Sequence, residues 1–218
     1  MKYEILLFDL DGTLVDTLEG VVKSAQYALE YFGIHENTED MDFFLGPPLR
    51  YTFTTHYGFS DGQAALAIEK YRERYRVYGK LESRLFPCFP AMLDELSAAG
   101  YRLGVATSKF EASAVDILTY LGAADRFEFI TGSNADESIS EKHEVILESL
   151  RRFGVLEHKH KALMIGDMKY DDIGAQKAGV DCIGVYTGTA FPPEHEQAGA
   201  TYIAESFDAL RSFLLKSD

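Results

Sequence analysis

Apolar and polar positions alternate in two distinct rhythms along this chain. Ile5-Leu6-Leu7-Phe8 is a short unbroken apolar run, with the length and composition of a buried strand, and it stops at Asp9. From Asp16 the period becomes helical. Leu18, Val21, Val22, Ala25, Leu29 and Phe32 share one face, Asp16 with Glu19 predicts a capped start, and Gly33 marks the stop. A turn-rich apolar connection over residues 43–49 comes next, then a second helical stripe through Ala64, Ile68, Tyr71, Tyr75 and Tyr78. Nothing from residue 16 to about residue 81 alternates as a strand, which predicts an all-helical block inserted after the first strand.

Beyond Phe86 the two rhythms alternate regularly. Helical segments from Pro90 to Gly100, over 112–121, over 145–153 and after Gly166 separate strand-like runs. Those runs are Arg102-Leu103-Gly104-Val105-Ala106-Thr107, Phe127-Glu128-Phe129-Ile130, Ala162-Leu163-Met164-Ile165, Cys182-Ile183-Gly184-Val185 and Tyr202-Ile203-Ala204, with a last helix over 210–215. Such alternation predicts an α/β core, a parallel sheet covered on both faces, whose ligands lie beyond the carboxyl ends of the strands.

Those strand ends carry the candidate chemistry. Asp9-Leu10-Asp11-Gly12-Thr13 closes the first run, and strand alternation would point Asp9 and Asp11 into one pocket. Two carboxylates so placed require a cation or a shared proton. Gly12 permits a sharp turn, and Thr13 offers a hydroxyl and an N–H to an anion, so the segment describes a metal-assisted phosphate site with an aspartate nucleophile. Thr107-Ser108 adds hydroxyls at a second strand end, and Lys142 supplies a cation that such a site needs. Gly166-Asp167-Met168-Lys169-Tyr170-Asp171-Asp172 is a second acidic cluster at a strand end. Asp9, the main-chain carbonyl of Asp11, and Asp167 make a magnesium ligand set, with Asp171 behind them to orient a ligand water or hold Lys142. Asp172 reads as a solvent-facing carboxylate at a helix start.

Composition narrows the class. With 21 Lys and Arg against 35 Asp and Glu, the net charge of −14 argues against duplex nucleic acid and anionic membranes as partners. Cys88 and Cys182 have no metal-ligand spacing and read as free thiols in a reducing compartment. No segment has transmembrane length and no signal peptide is evident, so a cytoplasmic protein is expected. Lys70, Arg72, Arg74 and Arg76 are interleaved with Glu69 and Glu73 and read as a solvated helix face. His158 and His160 read as loop surface, and Phe43 and Phe44 as core packing.

Taken in order, Asp9-Leu10-Asp11-Gly12-Thr13, Thr107, Lys142 and Gly166-Asp167 through Asp171 resemble the four motifs of the haloacid dehalogenase superfamily. The stretches Tyr71-Arg72-Glu73-Arg74-Tyr75, Lys142-His143-Glu144-Val145-Ile146 and Thr201-Tyr202-Ile203-Ala204-Glu205-Ser206 are similar to its phosphoglycolate-phosphatase-like and 5'-nucleotidase-like members. His143 stands where many relatives have proline, and Met168 where serine is frequent. The resemblance implies a Rossmann-like three-layer core over 1–15 and 84–218, with a helical cap over 16–83. It implies a magnesium-dependent phosphatase for a small phosphorylated metabolite, acting as a monomer or weak dimer, with a β-phosphoglucomutase-like phosphomutase as the alternative. Asp9 would be the nucleophile and Asp11 the general acid and base. Gly12, Thr13, Thr107, Ser108 and Lys142 would bind phosphate, and Arg50 of the cap would contact the rest of the substrate.

Overall fold

The computed structural model describes residues 2–45, 47–134, 138–187 and 192–216; Gly46 of the expected connection lies outside them. The chain divides into two compact units, Met1–Val15 with Leu85–Asp218, and Asp16–Arg84.

The larger unit is built on β1 (Ile5–Phe8), β4 (Arg102–Phe110), β5 (Phe129–Ser133), β6 (Ala162–Gly166), β7 (Asp181–Val185) and β8 (Tyr202–Ala204). All neighbours are parallel, in the order β5-β4-β1-β6-β7-β8. From β1 the chain proceeds outward through β4 and β5, then returns to the other side for β6, β7 and β8. The order therefore reverses at β1, and the crevice for a ligand opens there, beyond the carboxyl ends. Helices α4 (Phe89–Ala98), α5 (Glu111–Tyr120), α6 (Lys142–Arg152), α7 (Lys169–Ala178), α8 (Pro192–Ala198) and α9 (Phe207–Lys216) accompany the strands.

The unbroken apolar runs are explained by burial on both sides of the sheet. Leu6, Phe8, Leu103, Val105, Leu163 and Ile165 pack with Phe89, Met92 and Leu93 of α4 and Leu210 and Leu214 of α9. Their neighbours Ile5, Leu7, Ala162 and Met164 pack oppositely, against Val145, Ile146 and Leu150 of α6 and Ala175 and Ala178 of α7. Register aligns Phe8 with Val105 on one side and Ile165 on the other, so Asp9, Ala106 and Gly166 follow at a common level along the carboxyl edge, and β4 continues beyond it to Phe110.

The second unit holds α1 (Leu18–Tyr31), α2 (Leu49–Tyr57) and α3 (Asp61–Tyr78). Val21, Val22, Ala25 and Leu29 meet Phe44, Phe53, Phe59, Ala64, Ala67 and Tyr71 in its core. Two short strands, β2 (Val15–Asp16) and β3 (Arg84–Leu85), pair with each other. The expected Asp16–Glu19 cap is not formed: α1 starts one residue after Thr17, and Asp16 accepts from the Leu18 N–H at 3.2 Å while its other oxygen takes Arg84 at 2.7 Å. The reciprocal cap belongs to α3, where Ser60 and Gln63 satisfy each other's main-chain N–H groups. Among the described residues no helix is long and apolar enough to cross a membrane.

Candidate active site

Strand β1 ends at Phe8, and the main-chain N–H of Asp9 still bonds to Ile165 O at 2.9 Å, so Asp9 is fixed between β4 and β6. Lys142, the first residue of α6, sends its ammonium into the same place. Its Nζ donates to Asp9 Oδ1 at 2.7 Å and Ala106 O at 3.1 Å, and pairs with Asp171 Oδ1 at 2.8 Å. Of the three donors of an ammonium, two are hydrogen-bonded, to Asp9 and Ala106, and the contact to Asp171 is an ion pair. Asp167, directly after β6, is fully buried and accepts from Thr13 Oγ1 at 2.7 Å. Asp171 lies in the first turn of α7, where its Oδ2 accepts from the Met168 N–H at 3.1 Å.

Carboxylate oxygens of Asp9, Asp167 and Asp171 all lie within 4.8 Å of one another. Three buried carboxylates facing one ammonium leave an excess of negative charge, and the proton affinities register it. Burial first, then the charges of Asp171 and Asp9, push Asp167 well above the ordinary carboxylate range against the pull of Thr13. Burial and Asp9 raise Asp171 to about 7 although Lys142 opposes them. Burial alone would lower Lys142, but Asp171 and Asp9 together raise it. Asp167 Oδ2 is a buried oxygen with no hydrogen-bond partner among the described residues. Asp171 Oδ1 likewise accepts no hydrogen bond, and an acidic, all-oxygen cluster with two such buried oxygens fits a hard divalent cation such as magnesium.

Asp11 does not join the three. The chain turns after Asp9, and Asp11 forms a bridge with Val15 instead of continuing the strand, so alternation no longer applies. Its two carboxylate oxygens take the Lys109 ammonium at 2.9 and 2.8 Å. The expectation that strand alternation points Asp11 the same way as Asp9 is corrected accordingly: a turn carries Asp11, and the Lys109 ammonium is the cation that compensates it. Gly12, at φ +81°, is required by that turn: a Cβ there would sit 2.2 Å from Asp167 Oδ2. Thr107 is buried at the end of the apolar part of β4 and accepts from the Lys109 N–H at 3.2 Å, whereas Ser108 is exposed. Thr13 is buried with its hydroxyl committed to Asp167.

In the helical unit, Arg50 is the second residue of α2, is exposed, and reaches Asp61 at 3.4 Å. Lys70 pairs with Glu73 at 2.7 Å as a helix-face pair, but Arg74 is largely covered and holds Glu82 through two bonds of 2.8 Å, so the face is not uniformly solvated. His158 and His160 are exposed, Phe44 is core, and Phe43 stacks on His56 with 4.3 Å between ring centroids.

Two groups escaped the sequence reading. Lys109 comes directly after Thr107-Ser108, and its role depends on β4 running three residues past Thr107. Asp172 is not solvent-facing: it is 1% exposed, and its Oδ2 lies 2.5 Å from Nδ1 of fully buried His195. Nothing in the periodicity of 188–198 signals that partnership.

Known proteins resemble this chain along its length. Residues 6–185 match the family described as haloacid dehalogenase-like hydrolase. A protein of Pseudomonas aeruginosa named 5'-nucleotidase is 39% identical over 98% of this chain and 96% of its own length. One of Mycobacterium tuberculosis named tyrosine-protein kinase PtkA is 33% identical over 97% of this chain and 72% of its own. A phosphoglycolate phosphatase of Yersinia pseudotuberculosis is 31% identical over 83% of this chain and 80% of its own. Among solved structures, a predicted phosphatase from Clostridium acetobutylicum superposes with a TM-score of 0.92 at 37% identity, covering 99% of this chain and 100% of that one.

Proposed function

The chain belongs to the haloacid dehalogenase-like hydrolase family and is a phosphatase, a phosphoric monoester hydrolase; on that premise we propose that it is magnesium-dependent and cleaves small phosphomonoesters through an aspartyl-phosphate on Asp9. Nucleoside 5'-monophosphates are the first substrate class, and phosphoglycolate the second. The observation that supports this reading is the convergence of Asp9, Asp167 and Asp171 on one another at the carboxyl edge of the sheet, with a buried lysine paired to Asp9 and Asp171.

Lys142 orients Asp9 through Oδ1 and screens its charge as an anionic phosphate approaches. Asp9 attacks phosphorus in line, so the Asp9–phosphorus bond forms as the ester P–O bond breaks. Asp11 gives the leaving oxygen its proton and later takes one from the water that cleaves the acyl-phosphate. Lys109 holds the Asp11 carboxylate in place between these transfers. Donors of Thr13, Thr107, Ser108 and Lys142 bind the phosphate oxygens, whereas the expected Gly12 N–H is bonded to Val15 O at 2.9 Å and shapes the turn, and Arg50 is assigned to the rest of the substrate. When bound, a magnesium ion held by Asp9, Asp167 and the main-chain carbonyl of Asp11 supplies charge compensation between nucleophile and phosphate. Asp171 keeps Lys142 aligned from behind. We place the enzyme in the cytoplasm as a monomer or weak dimer.

Incubating the purified chain with a panel of phosphorylated metabolites tests the reading. Phosphate release should be fastest from a nucleoside 5'-monophosphate, vanish in chelator, return with magnesium, and return poorly with calcium, whose looser, higher coordination suits in-line transfer less well. Full turnover after exhaustive chelation removes the metal from the mechanism. An isomerised sugar phosphate in place of free phosphate makes the chain a mutase.

A further inference from the structure

Behind the candidate active site lies a second buried polar pair that the proposed chemistry does not use. His195 is fully buried and Asp172 is 1% exposed, with 2.5 Å between Nδ1 and Oδ2. They belong to different elements, α8 and α7, and are 23 residues apart. Space for the ring is made by β7: a Cβ on Gly184 would lie 2.3 Å from His195 Nδ1 and 2.4 Å from Cγ, so no larger residue fits there while the imidazole stays. Burial disfavours the charged ring, yet the bond to Asp172 outweighs it and raises the histidine above its ordinary value, with the Asp167 main-chain carbonyl acting in the same direction.

A buried ion pair is a poor way to gain stability, because aliphatic side chains of similar volume hold two helices together at least as well. What such a pair does supply is direction. Asp172 is the immediate neighbour of Asp171, and the ring of His195 lies against Gly184, the register partner of Gly166 just before Asp167. The imidazole thus addresses both ends of the loop that carries two carboxylates which repel each other.

We propose that His195 and Asp172 are positioning residues that pin the Gly166-to-Asp172 loop from behind, keeping Asp167 and Asp171 converged on Asp9 in the geometry a divalent cation requires. The inference rests on the proposed magnesium dependence. Outer-shell partners of this kind change metal affinity by about 10–100-fold when removed.

The experiment is calorimetric titration of the full chain with Mg²⁺, without substrate, alongside thermal melting. The parent binds, and His195→Leu/Asp172→Val, which replaces the pair with aliphatic packing, melts at or above the parent temperature but binds Mg²⁺ about tenfold or more weakly. His195→Asn keeps a donor near the Nδ1 position and should stay within about threefold of the parent, whereas His195→Ala should not. In turnover the loss appears in the magnesium requirement, with KM for the phosphomonoester at saturating magnesium little changed. Unchanged Mg²⁺ affinity in the double variant overturns the positioning role. If the double variant does not fold, equal Mg²⁺ affinity of His195→Ala and His195→Asn does so. A parent that binds no Mg²⁺ removes the metal reading itself and this inference with it, a result seen before any variant is made.

Discussion

The carboxyl edge of the sheet and the interior of the helical unit are built on opposite principles. In the helical unit the interior is apolar and aromatic: Phe53 packs on Phe59 and Phe44 with ring centroids 5.8 and 5.3 Å apart, and the ion pairs Glu19–Lys23 and Lys70–Glu73 stay at the surface. Among the described residues its well-covered pair, Arg74–Glu82, is a matched two-bond fork with favourable shifts on both partners. At the sheet edge Asp9, Lys142, Asp167 and Asp171 are buried together and the charges do not cancel. Each buried ion costs several kcal/mol in desolvation, and two of these carboxyls are pushed away from ionisation. A fold that packs one unit so conventionally has not filled the other with charge for stability. The unbalanced cluster fits the proposed role, a site arranged to receive a cation and a phosphate.

The contrast is sharpened most by Asp9→Asn. Removing one anion from the cluster relieves repulsion on Asp167 and Asp171 while abolishing the nucleophile. Turnover should fall by at least about 10³-fold, and the melting temperature should hold or rise. A variant that keeps a substantial fraction of the parent rate refutes the aspartyl-phosphate route. One that is inactive because it unfolds shows that Asp9 serves the fold as the aromatic residues serve the helical unit.

A smaller effect is expected from pH. Asp171 titrates in the folded chain at about 7, and Asp167 is shifted in the same direction. Both therefore hold protons in the native state that the unfolded chain has released. Where the native state binds more protons, stability falls as pH rises, so the stability present below about pH 4 is lost as pH climbs through about 7. In chelator the melting temperature should drop by on the order of 5 °C across that window, and magnesium should flatten the slope. Asp171→Asn should flatten it as well. A metal-free protein that becomes more stable over the same range would show that the cluster is compensated by groups already in place.

The sequence was informative wherever chemistry stood at the end of a strand. The apolar runs located the strands, and the acidic residues that follow them are at one edge: oxygens of Asp9, Asp167 and Asp171 lie within 4.8 Å of one another, and Lys142 pairs with Asp9 and Asp171. Its limits have physical causes. Helix α2 was hidden because Leu49–Tyr57 contains three threonines, which favour helices weakly, and comes after two prolines. Lys109 was passed over because its meeting with Asp11 depends on a turn that breaks strand alternation and on the length of β4. His195 meets Asp172 only through tertiary packing, and a single histidine after Pro192-Pro193-Glu194 has no periodicity from which that contact could be inferred.

The smallest expected effect asks whether the helical unit contributes chemistry at all. Arg50 is exposed, and its two contacts to Asp61, both at 3.4 Å, are long and weak, so its removal should change stability by no more than about 0.5 kcal/mol. An arginine so weakly held by its own unit suits the role proposed for it, a contact to a polar substrate group beyond the phosphate. Interactions with that remote part are used to orient the reacting part, so their loss appears in turnover of a full substrate and not of a truncated one. Arg50→Ala should then lower kcat/KM for a nucleoside 5'-monophosphate by about tenfold while leaving a small chromogenic phosphate within about twofold. Equal losses on both substrates would make Arg50 a structural residue. No loss on either would leave the helical unit with packing alone and assign selectivity to the sheet edge.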